Sequence, residues 1–364
     1  MTTIDIIAGA RPNFMKIAPI IHAIHKHNIK AEKEIQYRLI HTGQHYDKSM
    51  SESFFTQLNI PEPHLNLGAG GGTQAEQTAA IMIGYEKALS DWKPELCIVV
   101  GDVTSTMACS IVAKKAWIKV AHIEGGIRSG DMTMPEEINR IVTDSITDYF
   151  FTTSQVANEN LKNQGVNNEK IYFVGNTMID SLLGNLERLQ KPDFFDIEGL
   201  KTNSYLVATL HRPSNVDEPQ NLGKLLRIID SNSGDKKVIF PMHPRTKKIF
   251  DDLSIELNNI FITTPMPYLE FIYTIKNSAG VITDSGGITE EATVLGIPCM
   301  TLRESTERPE TVTIGTNEMV GTNPDNIVSF IQKMVLGDWK KGGIPELWDG
   351  QTSERIVRIV SQLS

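Results

Sequence analysis

No stretch of this chain approaches the ~18 consecutive apolar residues that a membrane-spanning helix needs. The opening residues Met1-Thr2-Thr3-Ile4-Asp5-Ile6-Ile7 carry neither the basic start nor the apolar core of a secretory signal. Cysteine is scarce. Cys97, Cys109 and Cys299 are odd in number, far apart, and each set in an apolar run. Buried free thiols in a reducing compartment are therefore expected, rather than a disulfide framework or a zinc site. Both absences predict a cytoplasmic protein. Positive charge is short as well: 35 Lys and Arg stand against 44 Asp and Glu, a net charge of −9. That balance argues against nucleic acid or an anionic membrane as partner, while leaving room for one local basic pocket. There is no low-complexity segment, no G-x-G-x-x-G dinucleotide fingerprint and no D-x-D metal motif, so no metal and no cofactor is implied. His22, His25 and His27 lack a carboxylate or cysteine at ligand spacing and read as a helix face.

The chain does have the length and texture of two α/β domains. Its 364 residues are about twice a common domain length of ~150. Short β-branched runs alternate with longer amphipathic ones, the pattern of parallel sheets covered by helices. Strands are expected at 4–8, 37–41, 96–100, 119–123, 149–153 and 170–174. The pattern restarts near Gly175, with strands at 205–209, 238–241, 261–264, 280–283 and 299–302. The division predicted is an N-terminal domain over 1–175 and a C-terminal one over 176–352. An amphipathic helix at 353–364 is placed to return to the first domain. Two doubly wound, Rossmann-like sheets put a ligand cleft at the carboxyl ends of their strands.

Chemistry-bearing residues gather at those ends. After the first strand, Gly9-Ala10-Arg11-Pro12-Asn13-Phe14-Met15-Lys16 offers a tight turn at Gly9, a helix start at Pro12 and two cations, Arg11 and Lys16. They suit a diphosphate, or form only a solvated face. Gly101-Asp102-Val103-Thr104 follows the strand ending at Val100, and Asp102 read alone is as much an N-cap as a functional acid. The next strand ends at His122-Ile123-Glu124-Gly125-Gly126-Ile127-Arg128. Pro135-Glu136-Glu137-Ile138-Asn139-Arg140 then opens a helix, where acids also complement the macrodipole. Three carboxylate sites at one sheet edge fit proton transfer, because carboxylates in unlike environments separate into acid and base.

In the second half, His211-Arg212 ends a strand, and His243, in Phe240-Pro241-Met242-His243-Pro244, occupies the tip of the next. Each is either structural or a cleft-lining acid or phosphate donor. Thr283-Asp284-Ser285-Gly286-Gly287-Ile288-Thr289-Glu290-Glu291 passes from strand through Ser-Gly-Gly into a helix, a phosphate cradle with Glu291 one turn in for a ribose. The charged loop Arg303-Glu304-Ser305-Thr306-Glu307-Arg308-Pro309-Glu310 follows the last strand, as solvated surface or as part of the cleft. Gln44-His45 ends an early strand.

Taken in register, Gly-Ala-Arg-Pro-x-x-x-Lys at 9–16, Gln44-His45, Gly101-Asp102, Glu124-Gly-Gly-Ile-Arg128, Pro135-Glu-Glu-x-Asn-Arg140, His211-Arg212, Asp284-Ser-Gly-Gly-x-x-Glu-Glu291 and Thr306-Glu-Arg-Pro-Glu310 resemble the non-hydrolysing UDP-N-acetylglucosamine 2-epimerase family. The resemblance runs from the first strand to Asp349-Gly350-Gln351-Thr352-Ser353. It implies a two-domain glycosyltransferase-B type fold with a central cleft, usually a homodimer, and a reaction without nicotinamide or metal. UDP is eliminated to give 2-acetamidoglucal and added back with the C2 proton delivered to the other face. Matched position by position, Asp102, Glu124, Glu136 and His211 take the catalytic places. Arg11, Ser285, Gly286 and Glu291 match UDP contacts, with Lys16, Gln44, His45, Arg140, Arg212, His243, Gly287, Glu307 and Arg308 as further substrate contacts. Departures from the common bacterial pattern are His211-Arg212-Pro213-Ser214-Asn215 for His-Arg-Arg-Glu-Asn, the shortened Ser129-Gly130-Asp131-Met132-Thr133-Met134, and Tyr46-Asp47-Lys48 where activation by a second substrate is associated with Arg-Glu-Met. The last argues against such activation. The chain looks closer to an archaeal-like branch that also holds epimerases of diacetamido uronic acid sugars. A related UDP-HexNAc, a hydrolysing 2-epimerase and, further off, a glycosyltransferase remain the alternatives.

Overall fold

The computed structural model describes residues 2–30, 33–43, 55 and 58–363. Gln44, His45 and the Arg11 side chain lie outside the described residues. The first sheet is built from β1 (Thr2–Ala8), β2 (Ile35–His41), β3 (Leu65–Asn66), β4 (Leu96–Val100), β5 (Lys119–Ile123), β6 (Tyr149–Thr152) and β7 (Ile171–Phe173), in the order β3-β2-β1-β4-β5-β6-β7. The second holds β8 (Tyr205–Thr209), β9 (Lys237–Pro241), β10 (Ile260–Thr263), β11 (Gly280–Thr283), β12 (Cys299–Thr301) and β13 (Asn317–Met319), in the order β10-β9-β8-β11-β12-β13. All pairings are parallel. Helices cover both faces, so central strands are buried on both sides and read as continuous apolar runs. In β4, Cys97, Ile98, Val99 and Val100 are each at most 2% exposed.

Every strand expected from the sequence is present, within two residues of its predicted ends. Two more, β3 and β13, are short, and their residues (Leu-Asn and Asn-Glu-Met) carry no apolar run to announce them. Strand order reverses between β1 and β4, and again between β8 and β11. In doubly wound sheets that reversal opens a crevice at the strands' carboxyl ends. Gly9, Gly101, His211 and Asp284 directly follow those four strands or lie one residue beyond them.

Compactness divides the chain into Met1–Leu183 with Glu346–Ser364, and Gly184–Pro345. The sequence pattern put the breaks at 175/176 and 352/353. The difference lies in the helix Thr177–Asn185, most of which belongs to the first unit. Its Ile179 and Leu182 are fully buried, and the Ser181 hydroxyl donates to the Met15 carbonyl. Asp180 accepts from the amides of Thr352 (3.1 Å) and Ser353 (2.6 Å), which anchors the helix Thr352–Val360 in that unit. Trp348, 1% exposed, donates its indole N–H to the Thr153 carbonyl at 3.0 Å. The second unit has its own core, in which Leu206, Ala208, Leu222, Leu226, Phe240, Ile282, Met300 and Ile327 are fully buried.

Candidate active site

In the first unit the turn after β1 is closed by the Asn13 side chain. Asn13 is 2% exposed and accepts from the amides of Gly9 (3.1 Å) and Ala10 (2.9 Å). Its Nδ2 donates to the Val100 carbonyl at 3.2 Å, tying the end of β1 to the end of β4. The helix Arg11–Lys30 starts there and places Lys16 one turn further on. Lys16 Nζ meets Glu124 Oε2 at 2.7 Å, with the two side chains only 15% and 5% exposed. Gly101 (φ +70°) lies against this pair: a Cβ at 101 would stand 3.3 Å from Lys16 Nζ and 3.8 Å from Glu124 Oε2. Glu124 itself has φ +71°, a left-handed conformation that costs a non-glycine residue of order 1 kcal/mol and marks a constrained site.

Asp102 does not cap the helix after it. That helix, Thr104–Lys115, has Val103 at its N-cap and no side-chain cap. The Asp102 carboxylate is ion-paired to Arg140, and its backbone carbonyl accepts from Asn139 Nδ2 at 2.8 Å. Arg140 also donates to Glu137 Oε2 at 2.7 Å, and Glu137 collects the Ser129 and Gly130 amides at 3.0 and 3.1 Å. Burial alone would raise the Glu137 carboxyl; the Ser129 amide, Arg140 and the Gly130 amide more than offset it and hold it below the usual range. Glu136 is half-buried in the first turn of the same helix, Pro135–Ile146, one turn before Arg140. Thus Lys16, Glu124, Gly101, Asp102 and Arg140 form one connected cluster, and Glu136 rides on the helix that closes it.

In the second unit Asp284, at the end of β11, is fully buried. It accepts from the amides of His211 (3.1 Å) and Arg212 (3.0 Å) and from Asn215 Nδ2 (3.0 Å). His211 Nδ1 lies 2.8 Å from Asp284 Oδ1, while the rest of its side chain is 56% exposed. The carboxylate orients the ring and leaves Nε2 turned outward, the geometry by which an acid fixes a working imidazole. Burial pushes the Asp284 carboxyl up, but the His211 contact outweighs it, and the net shift is downward.

Next comes the helix Gly286–Leu295, with Ser285 at its N-cap, no side-chain cap bond and no acid in its first turn. Its N–H groups and positive dipole end are therefore open to an anion. Beside it Arg303 grips Glu307 with two 2.8 Å bonds, and Arg212 approaches the same carboxylate at 3.5 Å. A Cβ on Gly286 would stand 3.8 Å from Glu307 Oε2. Glu291 is 4% exposed and accepts from the Tyr268 hydroxyl at 2.9 Å. Burial pushes its carboxyl up to about 8, the hydrogen bond from Tyr268 opposing and the charge of Glu290 adding to the rise. Arg308 is buried on Glu290. His243 is exposed and caps the helix Pro244–Asp252 by accepting from the Arg245 amide at 3.3 Å.

A model of the family described as UDP-N-acetylglucosamine 2-epimerase matches residues 27–361. A Methanocaldococcus jannaschii protein named UDP-N-acetylglucosamine 2-epimerase is 41% identical over 98% of this chain and 98% of its own length. This chain belongs to the UDP-N-acetylglucosamine 2-epimerase family. Its members are isomerases that act on carbohydrates. A crystal structure of the M. jannaschii UDP-GlcNAc 2-epimerase in complex with UDP-GlcNAc and UDP is similar over 99% of this chain and 100% of that one, with a TM-score of 0.86 at 40% identity. A Pseudomonas aeruginosa relative, 38% identical over 98% of this chain and 99% of its own, is named UDP-2,3-diacetamido-2,3-dideoxy-D-glucuronate 2-epimerase.

Within this epimerase fold several residues are placed otherwise than their sequence context suggested. Lys16, offered by the sequence to a diphosphate, forms an ion pair with Glu124, and Arg140 joins Asp102 to Glu137. Four further residues had drawn no role from the sequence: Asn13, His122, Asp144 and Arg303. Arg303 sat in a loop that read either as solvated surface or as part of the cleft. Nothing in the sequence links His122 to Asp144, which comes 22 residues later and only folding brings near.

Proposed function

We propose that this chain interconverts UDP-N-acetylglucosamine and UDP-N-acetylmannosamine. The observation that carries this reading is the cluster at the ends of β4 and β5, where two carboxylates, Asp102 and Glu124, each bear a cation and stand beside the same glycine. The first unit works on the sugar. A carboxylate there takes the C2 proton as the C1–O bond breaks, and the bonding electrons leave with UDP. The 2-acetamidoglucal formed is reprotonated at C2 on the opposite face, by another carboxylate of the set Asp102, Glu124 and Glu136, as UDP oxygen rejoins C1. A C2–H with no adjacent carbonyl is scarcely acidic, so stabilising the departing diphosphate counts as much as the base. Groups suited to that stabilisation are the open helix start at Ser285, Gly286 and Gly287, the His211 ring oriented by Asp284, and Arg212. Glu291 receives the ribose hydroxyls. Neither step calls on a metal or a redox group.

The decisive experiment incubates the protein with UDP-GlcNAc in D2O and follows the sugar by NMR. Deuterium at C2 together with UDP-ManNAc is expected. Free ManNAc plus UDP would mean a hydrolase, and no change in any UDP-HexNAc would end the epimerase reading. The P. aeruginosa relative supports a second substrate, a UDP-diacetamido uronate, which belongs in the same assay.

We also propose a cytoplasmic homodimer. The helices Gln74–Ala88, Thr104–Lys115 and Pro135–Ile146 pack side by side, and Ile83, Ile138 and Ile141 are exposed on the outer two. Such an apolar face suits a second copy, which light scattering would reveal as a doubled mass. No described helix is long and apolar enough to cross a membrane.

A further inference from the structure

His122 and Asp144 are buried beneath the carboxylate cluster, with their side chains 0% and 1% exposed. His122 Nε2 lies 2.8 Å from the Gly101 carbonyl oxygen, and Nδ1 lies 2.7 Å from Asp144 Oδ1. A carbonyl only accepts, so Nε2 carries a proton. The other ring nitrogen also faces an oxygen, so the contact at Nδ1 needs a second proton shared with Asp144. Around Asp144 every other partner is a donor: the Gly126 amide at 3.0 Å and the Arg128 guanidinium at 2.7 Å. These donors favour the ionised carboxylate and leave both protons on the ring. On the other side of Gly101, which leads directly into Asp102, Lys16 Nζ and Glu124 Oε2 lie within 4 Å of where a Cβ on that glycine would stand.

We propose that His122 and Asp144 form an imidazolium–carboxylate pair that positions both catalytic strand tips, His122 holding Gly101-Asp102 and Asp144 holding Glu124-Gly125-Gly126. This rests on the roles proposed above for Asp102 and Glu124. His122 and Asp144 touch no substrate; they are positioning residues, and their effect is geometric. The His122 proton, bonded to the Gly101 carbonyl, fixes the peptide that leads into Asp102. The Asp144–Gly126 bond fixes the turn that holds Glu124 left-handed. Burial would by itself raise the Asp144 carboxyl, yet the charge of His122, its hydrogen bond and Arg128 hold it below the usual range.

The test combines a spectroscopic signature with kinetics. In wild-type enzyme labelled with 15N-histidine, with the His122 signal assigned by its loss in H122Q, both ring nitrogens are expected at imidazolium shifts. One nitrogen at the shift of an unprotonated imidazole would overturn the ion pair. D144N and H122Q are each expected to lower kcat for C2 exchange roughly 10–100-fold, the loss typical when a group orienting an active-site residue is removed. KM and UDP affinity should stay within about twofold, since the interaction acts on the reacting centre and not on ground-state binding. D148N, which disturbs another ion pair of the same unit (Lys114–Asp148, 2.8 Å), should leave kcat unchanged. If D144N does not fold, the double variant H122Q/D144N supplies two neutral amides that can bond to each other and to the Gly101 carbonyl. That variant should fold and remain slow; wild-type kcat in it would show that packing alone matters. Absence of C2 exchange in the wild type would defeat the functional reading instead, and the 15N signature would still decide the pair.

Discussion

With Glu291 in its proposed place at the ribose, UDP binding should be coupled to protonation, and replacing it with glutamine should separate stability from function. Its carboxyl is buried and raised to about 8 from an ordinary value of 4.5. Between those values the folded protein holds one proton more than the unfolded chain. Stability from this group is therefore complete below about 4.5, falls as pH rises, and is exhausted above about 8. One pH unit inside the window is worth about 1.4 kcal/mol. From pH 5.5 to 7.5 the wild type should thus lose about 2–3 kcal/mol that E291Q does not lose. The measurement is urea unfolding of both proteins at the two pH values, comparing only the difference between them, so that other titrating groups cancel. Two ribose hydroxyls donate, and only the ionised carboxylate accepts from both without offering a proton of its own, so UDP binding should favour that form and release a proton at neutral pH. Calorimetry in two buffers of unlike ionisation enthalpy reports that proton directly. E291Q should bind UDP more weakly while being the more stable protein at pH 8. A stability difference that does not change with pH, joined to UDP binding without proton release, would refute the reasoning.

Three further outcomes are expected. Lys16→Met removes the cation from a nearly buried carboxylate, a change that costs roughly 3–5 kcal/mol when the charge is kept. C2 exchange should collapse while UDP affinity measured by calorimetry changes little; a loss confined to UDP affinity would return Lys16 to the diphosphate. Asp284→Asn weakens the contacts that fix His211 and leaves a neutral group where the ring met a carboxylate, so C2 exchange should fall about 100-fold or more, as when an orienting acid is lost. UDP should still bind and stabilise the variant in a thermal melt. Gly126→Ala places a methyl 2.4 Å from the Ala157 carbonyl oxygen on a backbone with φ +82°, and should lower stability by about 2–4 kcal/mol in urea titration, against about 1 kcal/mol for Gly130→Ala, where a Cβ meets nothing and only the left-handed backbone (φ +74°) is strained.

The α/β class was legible because the two periodicities are local. A parallel strand covered on both faces is expected to be apolar along most of its length, and β4, β8 and β11 are, while β1 departs only at Thr2, Thr3 and the buried Asp5, which is paired to Arg38. Strands such as β3 and β13, at sheet edges, escape that demand and leave no trace in composition. Order along the chain also placed Asp102, Glu124, His211 and Ser285 just past strand ends, since a doubly wound fold collects those ends by topology alone. Pairing was another matter. The cation on Glu124 comes from Lys16, 108 residues away, and the acid under His211 from Asp284, 73 residues on. Asp144 reaches His122 and the turn at Gly126 together. Each contact joins segments whose separation along the chain carries no periodicity, so only the tertiary fold could decide which charge answers which. Burial decided the rest: Glu291, which the sequence placed one turn into its helix for a ribose, becomes, under Tyr268 and nearly without solvent, a group that holds its proton near neutrality.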